Sequence, residues 1–414
     1  MRILVVSQSF YPDVFAINEI VKGLVERGHE ITVLTGLPDY TTSEIPEAYR
    51  HGKNRTEDYC GAKVIRVPII PRKHGVLFRC LNYLSFAVNA SRKARFGKWE
   101  SFDAIYVWEV SPVTMAIPAI VLKRRFKKPL FLYCLDIWPE CIKAMGFQEK
   151  SLFYHIIHAL SGWIYRNCDH IAVSSAPFFQ YLEDVDRVSQ KKMSYLPQFA
   201  PKDLLYEDLS KEVSDRTDFL YVGNVGKAQD MQCLVRAAAE LSQRKDVRFH
   251  IVGGGSDLEE TIAFAKKTGA DRVMEFYGPK PFMETIAFYK KADACLITLD
   301  GSTRIGDTLP GKLQTYMAAG KPVIGALNGA GREVIEESGC GICAGASDER
   351  GFAECLLEFA CHKEKYLECG EKGRSYFLSH FTEEQHFQRL EQQLESLISL
   401  QRCRKKAKRG DQSK

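Results

Sequence analysis

Residues 307–326 read DTLPGKLQTYMAAGKPVIGA, a polar turn followed by a helix pattern and a short apolar run. Pro310 suits the first turn of a helix, and Asp307 and Thr308 before it are candidate helix caps. Gly320 ends the helix pattern before an apolar strand at 322–324. The stretch therefore predicts a helix-to-strand unit with an exposed helix N-terminus. A capped structural helix with a solvated Lys312 is the alternative interpretation.

The same alternation of strands and helices runs through both halves of the chain. Apolar runs predict strands at 219–222, 248–252, 273–276 and 294–298, and in the first half at 2–7, 30–34, 63–67, 104–107, 130–134 and 170–173. Buried strands that alternate with amphipathic helices predict an α/β protein with two doubly wound, Rossmann-like domains. Because such sheets bind ligands at the carboxyl ends of their strands, we expect the site in a cleft between the domains.

The expected join between the domains is the proline-containing stretch 195–205. We predict an N-terminal domain at 1–200 and a C-terminal domain at 201–380. Thr382 and Gln385 form a capping-box pattern, and Phe387 begins an apolar helix face, which predicts a docked return helix over 381–401. The basic stretch 402–414 is expected to be a disordered tail.

The composition excludes several classes of protein. The 414 residues are 45% hydrophobic and 26% charged, with a net charge of +5, which excludes a disordered or fibrous chain. No apolar run reaches the length of a membrane span, and the N-terminus MRILVVSQSF suits a buried strand better than a signal peptide, so we expect a cytoplasmic protein. The 13 cysteines are scattered, and the single C-x-x-C, Cys340 to Cys343, lacks partners at zinc spacing. We predict no metal site.

Two loops in the second half have the features of phosphate sites. YVGNVGKAQDMQ, residues 221–232, follows a strand, and its glycines Gly223 and Gly226 allow close backbone approach while Lys227 supplies charge before a helix. Lys312 adds a cation at the other helix N-terminus. Together the loops suggest a diphosphate, although an ordinary strand-to-helix turn explains the first loop as well. VGGGSDLEE at 252–260 lacks the third glycine of a dinucleotide fingerprint, which excludes NAD.

In the first half, FLYCLDIWPECI places Asp136 just beyond a buried strand. A carboxylate at that position is a candidate site residue, and a helix cap is the alternative. The Asp184-Val185-Asp186 string resembles a metal-nucleotide motif, but we expect it in a solvated loop.

Residues 71–98 carry seven basic residues and no acidic one, interleaved with apolar side chains. This pattern predicts one or two basic amphipathic helices that contact an anionic membrane surface. A partly buried helix with a solvated basic face and a nucleic-acid groove are the alternatives. No nucleic-acid motif accompanies the stretch, so no nucleic-acid partner is expected.

Over nearly its full length the chain resembles the family-4 retaining glycosyltransferases with the two-domain GT-B fold, in particular bacterial O-antigen and capsule enzymes of the N-acetyl-L-fucosamine transferase type. The matching strings are ERGHEITVLTGLPDY at 26–40, LDIWPE at 135–140, IYRNCDHIAVSS at 164–175, YLPQFA at 195–200, VGNVGKAQDMQ at 222–232, HIVGGGSDLE at 250–259, ADACLITL at 292–299 and TLPGKLQTYMAAGKPVI at 308–324.

The resemblance implies a nucleotide-sugar donor, a UDP-sugar, on the C-terminal domain and an acceptor on the N-terminal domain, with no further cofactor. Asp136 would border the donor sugar and the acceptor, and catalysis would be electrostatic stabilisation of the departing UDP. The residues implied to face the diphosphate are Lys227, Lys312 and the backbone at Thr308 and Leu309, and those implied to admit the base are Gly253 and the turn from Gly278 to Lys280.

The chain departs from the family pattern at several positions. Two glutamates common in the family correspond to Asp307 and Thr315, so only the first carboxylate is kept. The usual glycine pair after the first strand is replaced by the Phe15-Ala16-Ile17-Asn18 string, and a common arginine is Asn224. We include Asn18, Gly223, Asn224, Asp307 and Thr315 among the predicted substrate-binding residues, with Lys227 in the role of the arginine.

The resemblance thus predicts a metal-independent transferase at the inner face of the cell membrane. It would move an N-acetylated deoxyhexosamine from UDP to a polyprenyl-diphosphate-linked glycan in O-antigen or capsule synthesis. The alternatives are a UDP-sugar epimerase of the same fold and a catalytically inert, nucleotide-sugar-binding partner of an assembly complex.

Overall fold

The computed structural model describes residues 1–40, 43–73, 75–143, 147–211, 214–302 and 304–410, and for 404–410 only the backbone. The chain forms two compact units. The first comprises residues 1–174, 178–196 and the C-terminal segment from 387, and the second comprises residues 175–177 and 197–386.

The first unit is built on a sheet with the strand order β3-β4-β2-β1-β5-β6-β7-β8. Its neighbouring strands are parallel except β3, which pairs antiparallel with β4 at one edge. The strands are β1 (Arg2–Val6), β2 (Glu30–Gly36), β3 (Thr56–Tyr59), β4 (Ala62–Val67), β5 (Ala104–Glu109), β6 (Leu130–Cys134), β7 (His170–Val173) and β8 (Met193–Tyr195). The helices are α1 (Ala16–Glu26), α2 (Val76–Phe96), α3 (Ile117–Phe126), α4 (Glu140–Lys143), α5 (Leu152–Asn167) and α6 (Pro177–Asp184).

The second unit has a fully parallel sheet with the order β11-β10-β9-β12-β13-β14. Its strands are β9 (Thr217–Val222), β10 (Val247–Val252), β11 (Met274–Gly278), β12 (Ala294–Thr298), β13 (Val323–Ala326) and β14 (Gly341–Ala344). The remaining helices are α7 (Asp203–Tyr206), α8 (Met231–Glu240), α9 (Leu258–Thr268), α10 (Phe282–Lys291), α11 (Gly311–Ala318), α12 (Ala330–Ser338), α13 (Glu349–Cys361), α14 (Cys369–His380) and α15 (Glu383–Gly410).

Both sheets follow the doubly wound pattern, in which the strand order reverses beside the first strand of the sheet. The reversal falls between β1 and β5 in the first unit and between β9 and β12 in the second. Both faces of the central strands are buried, and all six residues of β5 are buried, because helices cover both sides of a parallel sheet. The predicted fold class of two Rossmann-like α/β domains is confirmed.

Helix α15 packs on the first unit, as predicted. The Phe387 ring lies over Gly23 of α1, where a Cβ atom would fall within 2.2 Å of it. The Glu391 carboxylate lies 2.7 Å from His29 Nε2. Thr382 and Gln385 form the expected reciprocal capping box. The helix continues to Gly410, beyond residue 401 at which we expected it to end, and residues 411–414 of the expected tail lie outside the described residues.

Among the described residues, no helix has both the length and the apolar character that crossing a bilayer would require.

Candidate functional site

A half-buried lysine, Lys312, lies at the carboxyl edge of the second sheet, where β9 and β12 are neighbours. Lys312 is on the first turn of α11, and its Nζ lies 3.9 Å from the centroid of the Tyr221 ring and 3.3 Å from the Asn224 carbonyl oxygen. It also donates a hydrogen bond to the Tyr221 hydroxyl. Among the described residues it has no carboxylate partner, and burial lowers the pKa of Lys312 to about 7. A lysine ammonium group that lacks a carboxylate partner can bind an anionic ligand, and such a ligand would raise its pKa.

The N-terminus of α11 has no side-chain cap, contrary to expectation. Pro310 is the N-cap residue and makes no side-chain capping bond. The Asp307 carboxylate instead lies 2.6 Å from Arg304 Nε, and the Thr308 amide donates to the Ile305 carbonyl at 3.0 Å. Asp307 and Thr308 therefore form a turn ahead of the helix. The first amides of a helix have no carbonyl partner one helical turn earlier, and those of α11 lie beside Lys312. Such amides favour the binding of an anion.

The loop after β9 approaches this lysine closely. Gly223 has φ 139°, and a Cβ atom there would lie 2.5 Å from Lys312 Cε. Asn224 holds the loop in shape through its Nδ2, which donates to Gln229 Oε1 at 2.8 Å. Lys227 is on the same loop and is exposed. The structure thus brings Gly223 and Asn224 to Lys312, while the N-terminus of α8 is capped by Asp230, which accepts from the Cys233 amide.

The triglycine turn is explained mainly by contact between loops. A Cβ atom on Gly253 would lie 1.8 Å from the Gly223 carbonyl oxygen. The Gly253 amide donates to the Gly278 carbonyl at 2.9 Å, and a Cβ atom on Gly278 would meet no atom within 4 Å. Lys280, the last residue of the turn that begins at Gly278, has its Nζ 3.7 Å from the Glu284 carboxylate. Gly278 is therefore the more open of the two glycines predicted to admit the base.

Two further predicted residues lie just before α11 and on it: Leu309 is buried and Thr315 is half-exposed. Leu309 is 4% exposed and belongs to the core of the second unit. The Thr315 hydroxyl donates to the Gly311 carbonyl at 3.0 Å. The Thr315 side chain is thus bonded to its own helix, at the position where the family pattern has a glutamate.

In the first unit, Asp136 follows β6 and is held by the loop after β5. Its Oδ2 accepts hydrogen bonds from the Ser111 amide at 3.0 Å and the Ser111 hydroxyl at 3.1 Å. Burial raises the pKa of Asp136, and the two bonds from Ser111 act in the opposite direction. The carboxylate is therefore anchored to a neighbouring strand end, and this bonding differs from that of the helix cap considered as the alternative.

Asn18 is buried in the first turn of α1 and contacts the loop between β1 and α1. Its Oδ1 accepts from the Tyr11 amide at 3.1 Å, and its Nδ2 donates to the Asp13 carbonyl at 2.8 Å. Both polar groups of this predicted substrate-binding side chain are thus used to order the loop.

The expectation of a solvated loop at 184–186 is wrong for Asp186. This residue is 1% exposed, and its Oδ1 lies 3.6 Å from His158 Nε2. Burial raises the pKa of Asp186 to about 7. The polar string misled the prediction because its last carboxylate turns inward against Gly162 of α5.

The basic stretch 71–98 contains one long helix, α2. The side chains on its covered side are Asn82, Phe86, Ala87, Ala90 and Ala94. Its exposed apolar side chains are Val76, Leu77, Phe78, Leu84, Val88 and Phe96. Arg92, Lys93 and Arg95 are exposed as well, so apolar and basic groups share the solvent-facing surface of α2.

Three features were missed from the sequence. Tyr221 receives Lys312, Ser111 holds Asp136, and Glu109 ends β5 fully buried. For Ser111 and Glu109, the sequence offered one indication, a polar residue shortly after a predicted strand. Within the described residues, no group of three His, Cys, Asp or Glu side chains is arranged to hold a metal ion.

The two doubly wound, Rossmann-like units match the fold of solved GT-B glycosyltransferases. Residues 15–198 match the family described as glycosyl transferase 4-like domain, and residues 216–362 match the family described as glycosyl transferases group 1. The chain belongs to these glycosyltransferase families.

Individual relatives agree with this class. The chain is 23% identical over 340 residues to WcaI of Escherichia coli (strain K12), described as a colanic acid biosynthesis glycosyl transferase, covering 77% of this chain and 82% of that protein. Sucrose-phosphate synthase from Thermosynechococcus elongatus has a TM-score of 0.73 and 16% identity, over 96% of this chain and 99% of that one. HepE of Anabaena, solved in complex with UDP, has a TM-score of 0.70 and 13% identity, over 96% and 100% of the chains.

Proposed function

We propose that the protein is a retaining transferase that moves a sugar from a UDP-sugar to a polyprenyl-diphosphate-linked glycan in the synthesis of a surface polysaccharide. The observation that carries the proposal is Lys312, a half-buried lysine without a carboxylate partner among the described residues, beside the uncapped N-terminus of α11. The UDP complex of HepE and the colanic acid role given for WcaI support the donor class and the pathway type. We propose an N-acetylated deoxyhexosamine as the transferred sugar.

In this proposal the second unit binds the donor. The amides of α11 and the Lys312 ammonium group would contact the diphosphate, with Lys227 supplying a second cation from its exposed position. As the bond from the sugar to UDP breaks, negative charge grows on the leaving phosphate. A preorganised cation and helix dipole stabilise that charge without reorganisation, which lowers the barrier. The proposed mechanism draws on no bound metal ion.

The first unit would bind the acceptor, with Asp136 as the residue that receives the hydrogen bond of the attacking hydroxyl. Its carboxylate is already oriented by Ser111, so little side-chain freedom is lost when the acceptor binds. The leaving phosphate would take the proton in a retaining reaction, and Asp136 would orient the hydroxyl.

The exposed surface of α2 is proposed to contact the inner leaflet, where a polyprenyl-linked acceptor resides. Its apolar and basic side chains suit an anionic bilayer surface. Sedimentation with anionic vesicles should be lost in Leu77→Asp and kept in the matched variant Leu367→Asp, since Leu77 is 69% and Leu367 77% exposed. Equal binding of both variants, or equal binding to neutral vesicles, would contradict this role.

The experiment that tests the function is UDP release from a panel of UDP-sugars, with and without a membrane lipid extract. We expect release that requires both one donor and lipid, and its loss in Lys312→Met. Lys267→Met is the matched control, because Lys267 is an exposed lysine on α9. Binding of donor without release would favour the inert partner, and conversion of the UDP-sugar without lipid would favour the epimerase.

A further inference from the structure

Glu109 is a buried carboxyl group that the proposed reaction does not use directly. It is the last residue of β5 and is 0% exposed, and the Cys134 thiol, a weak donor, is the one hydrogen-bonding group that its carboxyl oxygens meet among the described residues. An ionised carboxylate in such a place is costly, because it loses its hydration and gains only a weak donor. A carboxyl group in this place therefore favours the uncharged acid.

The position of Glu109 links it to Asp136. In the parallel register Glu109 pairs with Cys134 of β6, and Asp136 lies two residues beyond Cys134. Ser111, two residues beyond Glu109, donates both of its hydrogen bonds to Asp136. Two carboxyl groups therefore stand at the ends of neighbouring strands, and only one of them is supplied with donors.

We propose that Glu109 holds a proton at neutral pH and so leaves Asp136 as the single anion of this pair of strand-end carboxyl groups. This inference rests on the proposed function. Two carboxylates at one site do not both ionise readily, and the proton goes to the group with fewer donors. Ser111 stabilises the anion on Asp136, so the proton falls to Glu109.

The groups around Glu109 agree with this assignment. They are the Cys134 thiol on β6, the Cys141 thiol on α4, the Tyr165 hydroxyl on α5, the Cys168 thiol just after α5 and the Asp136 carboxylate. Each is neutral or anionic at neutral pH. Burial, followed by the charge of Asp136, raises the pKa of Glu109 well above its ordinary value, and the hydrogen bond from the Cys134 thiol acts in the opposite direction.

Infrared spectroscopy of the full-length protein tests the proton directly. The spectrum is recorded near pH 9, because Asp39 and Asp186, with pKa values raised by burial to about 6 and about 7, are ionised there. We expect a protonated-carboxyl C=O band in the wild type and in Asp136→Asn, and its absence in Glu109→Gln. A band that persists in Glu109→Gln, or one that is lost in Asp136→Asn, would overturn the assignment.

The second readout is the pH profile of sugar transfer. Glu109→Gln should keep the acid limb of the profile and the turnover number within about twofold, because glutamine is uncharged like the protonated acid. A displacement of the acid limb by about one pH unit or more would show that Glu109 carries charge, and would overturn the inference. If the infrared bands are as expected while no variant transfers sugar, the proton assignment is supported and the proposed function is not.

Discussion

Donor binding should weaken as pH rises through neutrality, because Lys312 must be charged to bind a diphosphate. In the free protein burial lowers the pKa of Lys312 to about 7. A bound diphosphate raises that pKa, since an opposite charge favours the ammonium form. Below the free-state pKa the lysine is already charged and binding is strongest. Above it, part of the binding free energy is spent on protonating the lysine, and affinity falls tenfold for each pH unit.

The size of the effect follows from the free-state pKa. The apparent Kd is proportional to one plus the ratio of neutral to charged lysine. Between about pH 6 and about pH 8.5 it should therefore rise about 30-fold, or about 2 kcal/mol. Binding at pH 7 should take up about half a proton, and binding at pH 8.5 about one. A UDP-sugar is the proper probe, because its phosphates are diesters that do not titrate in this range.

Isothermal titration calorimetry in buffers of different ionisation enthalpy measures both the affinity and the proton uptake. Lys312→Arg tests the cause, since a guanidinium group stays charged throughout and should bind with a flat pH dependence. Lys267→Met should behave as the wild type. A wild-type affinity that is constant from about pH 6 to pH 8.5, with no proton uptake, would refute the argument.

Three further variants probe other parts of the structure. Phe387→Ala should lower the free energy of unfolding, measured by denaturant titration, by about 3–4 kcal/mol. Leu400→Ala, on an exposed part of the same helix, should change it by less than about 0.5 kcal/mol. Equal effects of the two variants would contradict the packing of α15. Ser111→Ala should raise the acid limb of the transfer pH profile by about one unit, because Asp136 loses a donor, and an unchanged limb would remove Asp136 from the reaction. Gly223→Ala should weaken UDP-sugar binding about tenfold or more, since φ is positive at Gly223 and the added methyl group would collide with Lys312. Wild-type affinity in this variant would contradict a role of the close contact between Gly223 and Lys312 in donor binding.

The fold was predictable because its central strands are uninterrupted apolar runs. β1 and β6 are buried on both faces and are visible as such in the sequence. The edge strand β11 was predicted, but the edge strands β3 and β14 were not. β3 reads TEDY and alternates between exposed and half-buried residues, and polar strands of four residues carry no hydrophobic pattern that separates them from a loop. β14 reads GICA, and its half-buried edge position hid it in the same way.

The candidate site was predictable only to the level of strand ends and helix starts. Lys312 was recognised because it follows Pro310 at a helix N-terminus, yet its contact with Tyr221 joins residues 91 positions apart in the sequence. The prediction of Asp307 as a cap of α11 was wrong for a related reason, since the Asp307 carboxylate pairs with Arg304 instead. Local spacing indicates that a polar residue has a role, but its partner depends on which strands become neighbours. That Lys227 and Lys312 contact a donor stays a prediction.

The return of residues 387–410 to the first unit affects how the protein is made. The first unit is the first part of the chain to leave the ribosome, but it lacks the helix that covers Gly23 until nearly all other residues have been synthesised. During that time the surface of α1 that Phe387 covers is open to water and to other chains. A chain shortened within α15 should therefore leave the second unit intact and expose an apolar surface on the first, which makes the nascent N-terminal half a natural substrate for chaperones.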